Sequence, residues 1–308
     1  MLHAVPSPLA EVPQAPARIV TGLYLRCLRE AQYMGLEHAA RAVRVSASAV
    51  SRWERAESPI RPDALGTLLR LYGVADDHAC FLVGSLPPQG YDRREYEERG
   101  EGWRAPHDCW VDVACDEATA RHIAVMRLAS EVVQYCLLVP AGLRTQAYQR
   151  VVLDSGVCGD PDEPVLGLPS WVHDLDWAER QRRTVLLDET VLTRGRGDHP
   201  ATMAGQLRHL ADLVRSRESS DGSGLTIRIL PLGEVLFVHT VGAAAEVNLH
   251  GHRMVVRVGL FPCYETGSGA ARVISAGLRE AADAAWSREA TYEALVSAAE
   301  GMERRAAS

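Results

Sequence analysis

The chain has 308 residues, of which 47% are hydrophobic, and a formal net charge of −7. This length predicts two domains, since a domain usually has about 100–200 residues. The acidic balance argues against a protein that binds nucleic acid over its whole surface. No apolar run approaches the length of a transmembrane helix, and the N-terminus lacks the basic start and apolar core of an export signal. The sequence therefore predicts a soluble, cytoplasmic protein.

The first predicted domain is helical and covers residues 18–84, after a tail at residues 1–17 that we expect to be disordered. An amphipathic first helix is predicted from Gly22 to Met34 because leucines recur on one face among arginines. A later helix is predicted to begin at Pro62 and Asp63, since proline and an acidic residue suit a first helical turn, and to end at Gly73. Five helices in about 65 residues predict a compact all-α domain.

The segment Ser-Ala-Ser-Ala-Val-Ser-Arg-Trp-Glu-Arg at residues 46–55 follows a short helix that ends at Val43. A serine at position 46 can cap a helix, and small residues with an exposed Arg52 suit a helix that enters the major groove of DNA. The helical phase assigns Trp53 to the core and not to base stacking. The segment predicts the recognition helix of a helix-turn-helix module.

The candidate DNA contacts follow from this geometry. Small or hydrogen-bonding side chains on the exposed helix face are predicted to contact bases, namely Ala47, Ser48, Ser51 and Arg52. Side chains around that helix are predicted to contact phosphates, namely Arg41, Arg44, Ser46, Arg55 and Arg61. For these arginines, a solvated face remains the alternative.

Residues 18–84 resemble the XRE-type, phage-repressor-like helix-turn-helix family. The matching residues are Leu28-Arg29-Glu30-Ala31, Ala40, Val45-Ser46, Val50-Ser51-Arg52-Trp53-Glu54-Arg55 and Leu68-Leu69-Arg70-Leu71-Tyr72-Gly73-Val74. The resemblance implies operator binding and a structural ion pair between Arg29 and Glu54. Leu36 and Ala47 stand where family members usually carry glutamine. These departures leave Ser48, Ser51 and Arg52 as the groups able to read bases.

Positive charge is concentrated in this helix-turn-helix module. All 33 basic residues are arginine, and residues 18–70 carry nine arginines against five acidic residues, a local net charge of +4 in a chain of −7. The remainder of the chain is therefore strongly acidic. This polarity favours phosphate contact through the helical domain alone.

A linker, or a linker with a short polar helix, is predicted at residues 85–108, before a second domain of α+β class at 109–300 and a tail at 301–308. Helices are predicted at 143–153, at 200–217 and over 270–300. Strands are predicted at 225–230, 244–249 and 254–260, with His250-Gly251-His252 turning a hairpin.

The second domain is similar to a domain of undefined function that follows helix-turn-helix modules in actinobacterial regulators, including WhiJ-like, antitoxin-like proteins. The matching residues are Val139-Pro140, Leu143, Thr145, Ala147-Tyr148, Arg180-Gln181, Leu187-Asp188-Glu189, Met203, Gln206-Leu207, Leu210 and Ile229-Leu230-Pro231. The resemblance implies transcriptional regulation together with a small protein encoded nearby.

No motif predicts catalytic, cofactor-binding or metal-binding residues. The seven cysteines include no Cys-x-x-Cys pair, which predicts free thiols. The spacing of His107-Asp108-Cys109 and Cys115-Asp116 matches no zinc site. Gly267-Ser268-Gly269 lacks the third glycine of a dinucleotide-binding turn and is better interpreted as the entry to a helix.

The sequence therefore predicts a DNA-binding transcriptional regulator, not an enzyme, whose C-terminal domain binds a small partner protein or an effector. A homodimer that reads two half-sites is expected, because one arginine–guanine contact cannot give operator-level specificity. The alternative is an interaction protein that sequesters a small partner and carries a degenerate helix-turn-helix.

Overall fold

The computed structural model describes residues 13–100, 104–153, 168–172, 175–176, 178–193, 199–216, 224–233, 243–259 and 261–308. The chain divides into two compact units. The first contains Met1–Val111 with Gly251–Met254 and Tyr264–Arg272, and the second contains Asp112–His250, Val255–Cys263 and Val273–Ser308. Two short segments from the C-terminal half of the chain thus belong to the N-terminal unit, which no sequence pattern indicated.

The first unit is helical, as predicted. Its helices are α1 (Pro16–Ala31), α2 (Leu36–Ala42), α3 (Ala47–Glu54), α4 (Pro62–Leu71), α5 (Asp76–Ser85) and α6 (Arg94–Glu98). The first five correspond to the predicted helices, and α6 is the short polar helix considered for the linker. The described part of the first unit therefore has six helices, of which the sixth lies in the predicted linker.

Helix α1 begins earlier than predicted. Pro16 occupies its first turn, where the missing N–H costs no hydrogen bond, and both Ala15 and Ala17 are buried. Pro16 and Ala17, which the sequence prediction assigned to a disordered tail, are therefore part of the folded helix. Residues 1–12 of that tail lie outside the described residues.

The predicted linker contains a buried ion pair within the first unit. The guanidinium of Arg93 is almost fully buried and lies 2.8 Å from one carboxylate oxygen of Asp108 and 3.1 Å from the other. It also donates a hydrogen bond of 2.6 Å to the carbonyl oxygen of Gly267. This part of residues 85–108 is therefore an integral piece of the unit. Trp103, within the predicted linker, lies outside the described residues.

The strands form one seven-stranded mixed sheet in the order β1-β7-β6-β5-β2-β3-β4. Strand β2 pairs in parallel with β3 and antiparallel with β5, and β3 pairs in parallel with β4. The strand limits are β1 (Cys109–Val111), β2 (Glu131–Cys136), β3 (Arg182–Asp188), β4 (Gly224–Leu230), β5 (Ala244–Leu249), β6 (His252–Val258) and β7 (Pro262–Glu265).

The helices of the C-terminal half confirm the predicted mixture of helices and strands. They are α7 (Cys115–Leu128), α8 (Gln146–Leu153), α9 (Pro200–Ser216), α10 (Gly269–Ala284) and α11 (Arg288–Ala306), with short 3-10 helices at Ser170–Val172 and Glu189–Leu192. Helix α11 extends through most of the tail predicted at 301–308, because Met302 is still buried on its apolar face. Leu260 and Arg217, the last residues of a predicted strand and a predicted helix, lie outside the described residues.

The core of the second unit lies between α9, α11 and one face of β3 and β4. Alternate residues of the two strands point to this face, as the twofold period of a strand requires. The buried residues are Val185, Leu187, Ile227 and Ile229 from the strands, Met203, Leu207 and Leu210 from α9, and Leu295, Ala299 and Met302 from α11. This core holds the unit together through helix-on-sheet packing.

Two general predictions concern the whole chain. Among the described residues, no helix combines the length and hydrophobicity needed to cross a membrane. Within the part of the chain that the structure describes, the cysteines at 27, 80, 109, 136 and 263 form no disulfide. Cys158 and the side chain of Cys115 lie outside the described residues.

Candidate nucleic-acid interface

The corner between α2 and α3 is a tight turn built on a left-handed residue. Arg44 has a φ of +56°, and the backbone N–H of Val45 donates to the carbonyl oxygen of Ala40 at 3.0 Å. Ser46 then caps α3, since its hydroxyl accepts a hydrogen bond from the N–H of Ala49 at 3.2 Å. The turn and the cap fix the direction in which α3 leaves α2.

A buried ion pair fixes the C-terminal end of α3 against α1, as the resemblance predicted. The guanidinium of Arg29 lies 2.6 Å and 2.8 Å from the two carboxylate oxygens of Glu54. Both side chains are at most 10% exposed, and the Glu54 hydrogen bond raises the pKa of Arg29. Arg29 also donates to the carbonyl oxygen of Met34 at 3.0 Å. One arginine thus joins the end of α1, the α1–α2 turn and α3.

A glycine lets α1 approach α3 closely. A methyl group at Gly22 would lie 2.5 Å from the carbonyl oxygen of Trp53 and 3.0 Å from that of Glu54. Any larger residue at position 22 would displace α3 from α1. Trp53 itself is buried, which confirms its assignment to the core.

The outer face of α3 carries Ser48, Ser51 and Arg52, and Arg55 follows directly after the helix. The four residues share one stripe at spacings of three and four. Ser48 is exposed, and its hydroxyl lies 2.9 Å from that of Ser46. Arg52 is exposed too, and nothing within the described residues hydrogen-bonds or ion-pairs with its guanidinium. Ala47 is half-buried at the start of the helix. Arg52 is therefore the cation on this face that is available for an external acceptor.

Arg55 is engaged within the unit. Its guanidinium lies 2.6 Å and 2.9 Å from the two carboxylate oxygens of Glu57 and donates to the hydroxyl of Ser51 at 2.5 Å. The hydrogen bond that Arg55 donates to Glu57 raises the pKa of Arg55. A phosphate would have to compete with these acceptors. The sequence did not reveal this competition, although the Arg-x-Glu spacing was visible.

The remaining candidate phosphate contacts are exposed around α3. Arg41 donates to the carbonyl oxygen of Glu37 at 3.3 Å, and Arg61 lies 3.3 Å from a carboxylate oxygen of Asp63 in an exposed ion pair. Such a pair contributes little and opens easily. Arg44 makes no side-chain hydrogen bond or ion pair with the described part of the chain. Like the guanidinium of Arg52, that of Arg44 therefore has no competing acceptor among the described residues.

A histidine that the sequence assigned to a turn contacts the end of α3. His250 and Gly251 form the turn, with φ of +50° and +87°, and His252 is the first residue of β6. Its Nε2 atom lies 3.0 Å from the carbonyl oxygen of Arg55. Within the first unit, this side chain holds the residue that follows α3, a long-range contact with no local signal in the sequence.

Two of the motifs to which the sequence assigned no site, around Asp108 and Ser268, have structural roles. Asp108 accepts hydrogen bonds from Arg93 and from the backbone N–H of Ala105. Ser268 caps α10 by accepting a hydrogen bond of 2.9 Å from the N–H of Ala271. Gly267-Ser268-Gly269 is therefore a helix entry, as predicted. The side chains of Cys115 and Asp116 lie outside the described residues.

The second unit contains an open groove of about 620 Å³ between Leu192 and Thr193 on one side and α11 on the other. Its α11 wall is made of small side chains, including those of Ala294 and Ala298, with Arg304 near its end. Its volume is in the range of small-molecule sites. No charged side chain on its described walls is buried.

Comparison with known proteins gives two family matches. Residues 21–79 match the model described as a helix-turn-helix domain, and residues 119–297 match the model described as a domain of unknown function (DUF5753). The first match coincides with α1 to α5, and the second covers more than half of the chain. Neither a search of curated proteins nor one of solved structures finds a match.

Proposed function

Because the chain belongs to the DUF5753 family and carries a helix-turn-helix domain, we propose that it is a sequence-specific DNA-binding transcriptional regulator. The proposal includes a homodimer on DNA and a C-terminal domain that binds a small partner protein or an effector. It assigns no catalytic activity to the chain.

The mechanism is one of positioning. The Arg29–Glu54 pair and the Ser46 cap hold α3 so that its exposed stripe can enter a major groove. Arg44 at the α2–α3 corner contacts the DNA backbone, which sets the register but carries no sequence information. Arg52 and Ser48 reach base edges, and an arginine–guanine contact of good geometry contributes about 1–3 kcal/mol of discrimination.

The observation that carries the proposal is the state of Arg52. It is exposed on a capped helix whose other face is buried, and its guanidinium has no acceptor among the described residues. Five donors in a planar fork match the O6 and N7 acceptors of guanine. An arginine that served only to stabilise the unit would be expected to resemble Arg29 or Arg55, which both have carboxylate partners.

The test is selection of duplexes from a random-sequence pool by the wild-type chain and by Arg52→Ala. The wild type is expected to enrich a sequence that contains a guanine, and Arg52→Ala is expected to lose the preference at that base pair. Arg279→Ala removes the same charge from an exposed position on α10 and serves as the matched control. An identical enriched sequence for wild type and Arg52→Ala would reject the recognition-helix assignment.

A second function is favoured by one observation: Arg55 is hydrogen-bonded to Ser51 and ion-paired with Glu57. Ala47 and Leu36 already stand where family members usually carry glutamine, so few groups are left to contact DNA. The chain would then sequester a small partner, with the helix-turn-helix retained as a scaffold. A salt series of duplex binding separates the two functions, since phosphate contacts make affinity fall steeply with salt. Absence of duplex binding at low salt would favour sequestration.

A further inference from the structure

Tyr33 is the most exposed large hydrophobic residue in the described part of the chain. Its exposure is 98%, and it lies in the turn between α1 and α2. An aromatic side chain of this size usually packs against its neighbours when it can, because burial of its ring is favourable. At position 33 the ring instead points entirely into solvent.

The backbone of Tyr33 is also in a conformation that tyrosine rarely adopts. Its φ is +52°, in the left-handed region. Its N–H donates to the carbonyl oxygen of Glu30 at 2.9 Å, and the N–H of Met34 donates to that of Arg29 at 3.0 Å. This is the pattern of hydrogen bonds that ends a helix at a left-handed residue, a position where glycine is strongly preferred.

The end of α4 shows the same motif with the preferred residue. Gly73, with a φ of +77°, donates to the carbonyl oxygen of Arg70 at 3.1 Å, and the N–H of Val74 donates to that of Leu69 at 3.0 Å. Equivalent turns of one unit thus differ in the residue at the left-handed position, and the same pattern ends α3 at Ala56, with a φ of +56°. What distinguishes Tyr33 is that its strained backbone presents a fully exposed ring, and strain of this kind concentrates at functional positions.

The turn that carries Tyr33 is anchored on both sides. The side chain of Gln32 donates to the carbonyl oxygen of Tyr72 at 2.7 Å, and the guanidinium of Arg29 donates to that of Met34. Arg29 is in turn fixed by Glu54 of α3. The backbone at position 33 is therefore held in a fixed position relative to the recognition helix.

Tyr33 and Arg44 bracket α2, one at each end, and both are exposed, left-handed and not glycine. In a helix-turn-helix the first of the two helices crosses the DNA backbone. Side chains at the ends of α2 therefore lie near phosphates once α3 enters the groove. Tyrosine hydroxyls are among the groups that donate hydrogen bonds to phosphate oxygens.

We propose that Tyr33 is a DNA-backbone contact whose phenol hydroxyl donates a hydrogen bond to a phosphate oxygen next to α2. The inference rests on the proposed DNA binding and adds a contact that the sequence reading did not include. It predicts a sequence-independent contribution to affinity, because a phosphate is the same at every step of the duplex.

Two variants test the contact by fluorescence anisotropy with a labelled 30-base-pair duplex of random sequence. Tyr33→Phe keeps the ring and removes the hydroxyl, and Tyr33→Gly removes the side chain and relieves the backbone strain. Each is expected to weaken binding about three- to tenfold, which is typical for one hydrogen bond. The midpoint of thermal unfolding should not fall for Tyr33→Gly, because glycine suits the left-handed position. Tyr96→Phe, in α6, is the matched control.

The salt dependence distinguishes this contact from that of an arginine. A neutral hydroxyl releases no counterion, so the slope of log affinity against log salt should stay at the wild-type value in Tyr33→Phe. An unchanged affinity in Tyr33→Phe would overturn the hydrogen bond, whatever Tyr33→Gly does. Altered self-association in sedimentation with unchanged duplex affinity would assign Tyr33 to a protein interface and also overturn it. Failure of the wild type to bind duplexes at low salt would instead remove the proposed function.

Discussion

Arg228 of the second unit and Arg44 and Arg52 of the first unit are arginines in contrasting states. In the second unit, Arg228 donates to the carbonyl oxygens of Ala282 and Trp286, each at 2.7 Å, and to that of Ala285. On α2 and α3 of the first unit, Arg44 and Arg52 are exposed and have no acceptor within the described residues. The chain has no lysine, so arginine must serve both purposes.

The difference shows which basic residues can contribute to binding. Arg228 caps the C-terminal end of α10, where the last carbonyl oxygens have no partner within the helix and a cation is favourable. All three nitrogens of its guanidinium donate to these carbonyl oxygens, so it has little left to offer a ligand. Arg44 and Arg52 keep all five donors available. The local net charge of the helical domain cannot distinguish these states, and only the acceptors around each guanidinium can.

The largest expected effect concerns Arg29 of the first unit, which is buried and ion-paired, in contrast to Arg44 and Arg52. Arg29→Met should lower the free energy of unfolding by about 3–5 kcal/mol, because it leaves the carboxylate of Glu54 buried without a counter-charge. Chemical denaturation measures this loss. Arg26→Met, which opens the exposed Arg26–Glu30 pair, should cost less than about 1 kcal/mol.

The double variant Arg29→Met/Glu54→Leu completes this test. It should recover most of the stability lost in Arg29→Met, since it removes the unpaired charge together with its partner. If Arg29→Met costs no more than Arg26→Met, the pair does not fix α3 against α1.

The next effect concerns the second unit. Arg228→Met should lower the free energy of unfolding by about 2–3 kcal/mol, because carbonyl oxygens at the end of α10 lose a charged donor. Duplex affinity, measured well below the unfolding midpoint, should remain at the wild-type value. If Arg228→Met weakened duplex binding as much as replacement of Arg44 by glycine, structural arginines would also matter for binding, and the contrast with Arg44 and Arg52 would be wrong.

The sequence predicts the helical unit well because its signals are local. Ser46 as a cap, the helical phase of Trp53 and the glycine after α4 each act within one or two turns. The Arg29–Glu54 pair joins residues that are distant in sequence, and it was predicted only through the family resemblance. The ion pair between Arg55 and Glu57 was not predicted, since a pattern of charges does not say that Glu57 lies close enough to bind the guanidinium.

The sheet shows the opposite case. Strand β5 was predicted because apolar and polar residues alternate along it, and its observed limits agree. Strands β2 and β3 were missed, since parallel strands covered on both faces lack clean alternation. β3 in particular is the run Arg182–Asp188, whose last four residues are all buried. The placement of His252 against Arg55 depends on the folded chain and has no local cause.

The smallest expected effect separates strain from binding at Arg44. Arg44→Gly should raise the free energy of unfolding by about 1 kcal/mol, because glycine adopts the left-handed conformation without penalty. It should also weaken binding to every duplex and reduce the salt slope by about one, as loss of one phosphate contact requires. Ala56→Gly is the matched control, since Ala56 has the same φ of +56° after α3 but carries no charge.

Ala56→Gly should leave both the affinity and the salt slope unchanged. A more stable protein that binds DNA less well would show that the chain keeps an unfavourable backbone at position 44 for the sake of its guanidinium. An unchanged salt slope in Arg44→Gly would place this arginine among the solvated ones. Arg52 would then be the remaining α2–α3 arginine with a free guanidinium in the described residues, and one such contact is too few for operator recognition without a second subunit.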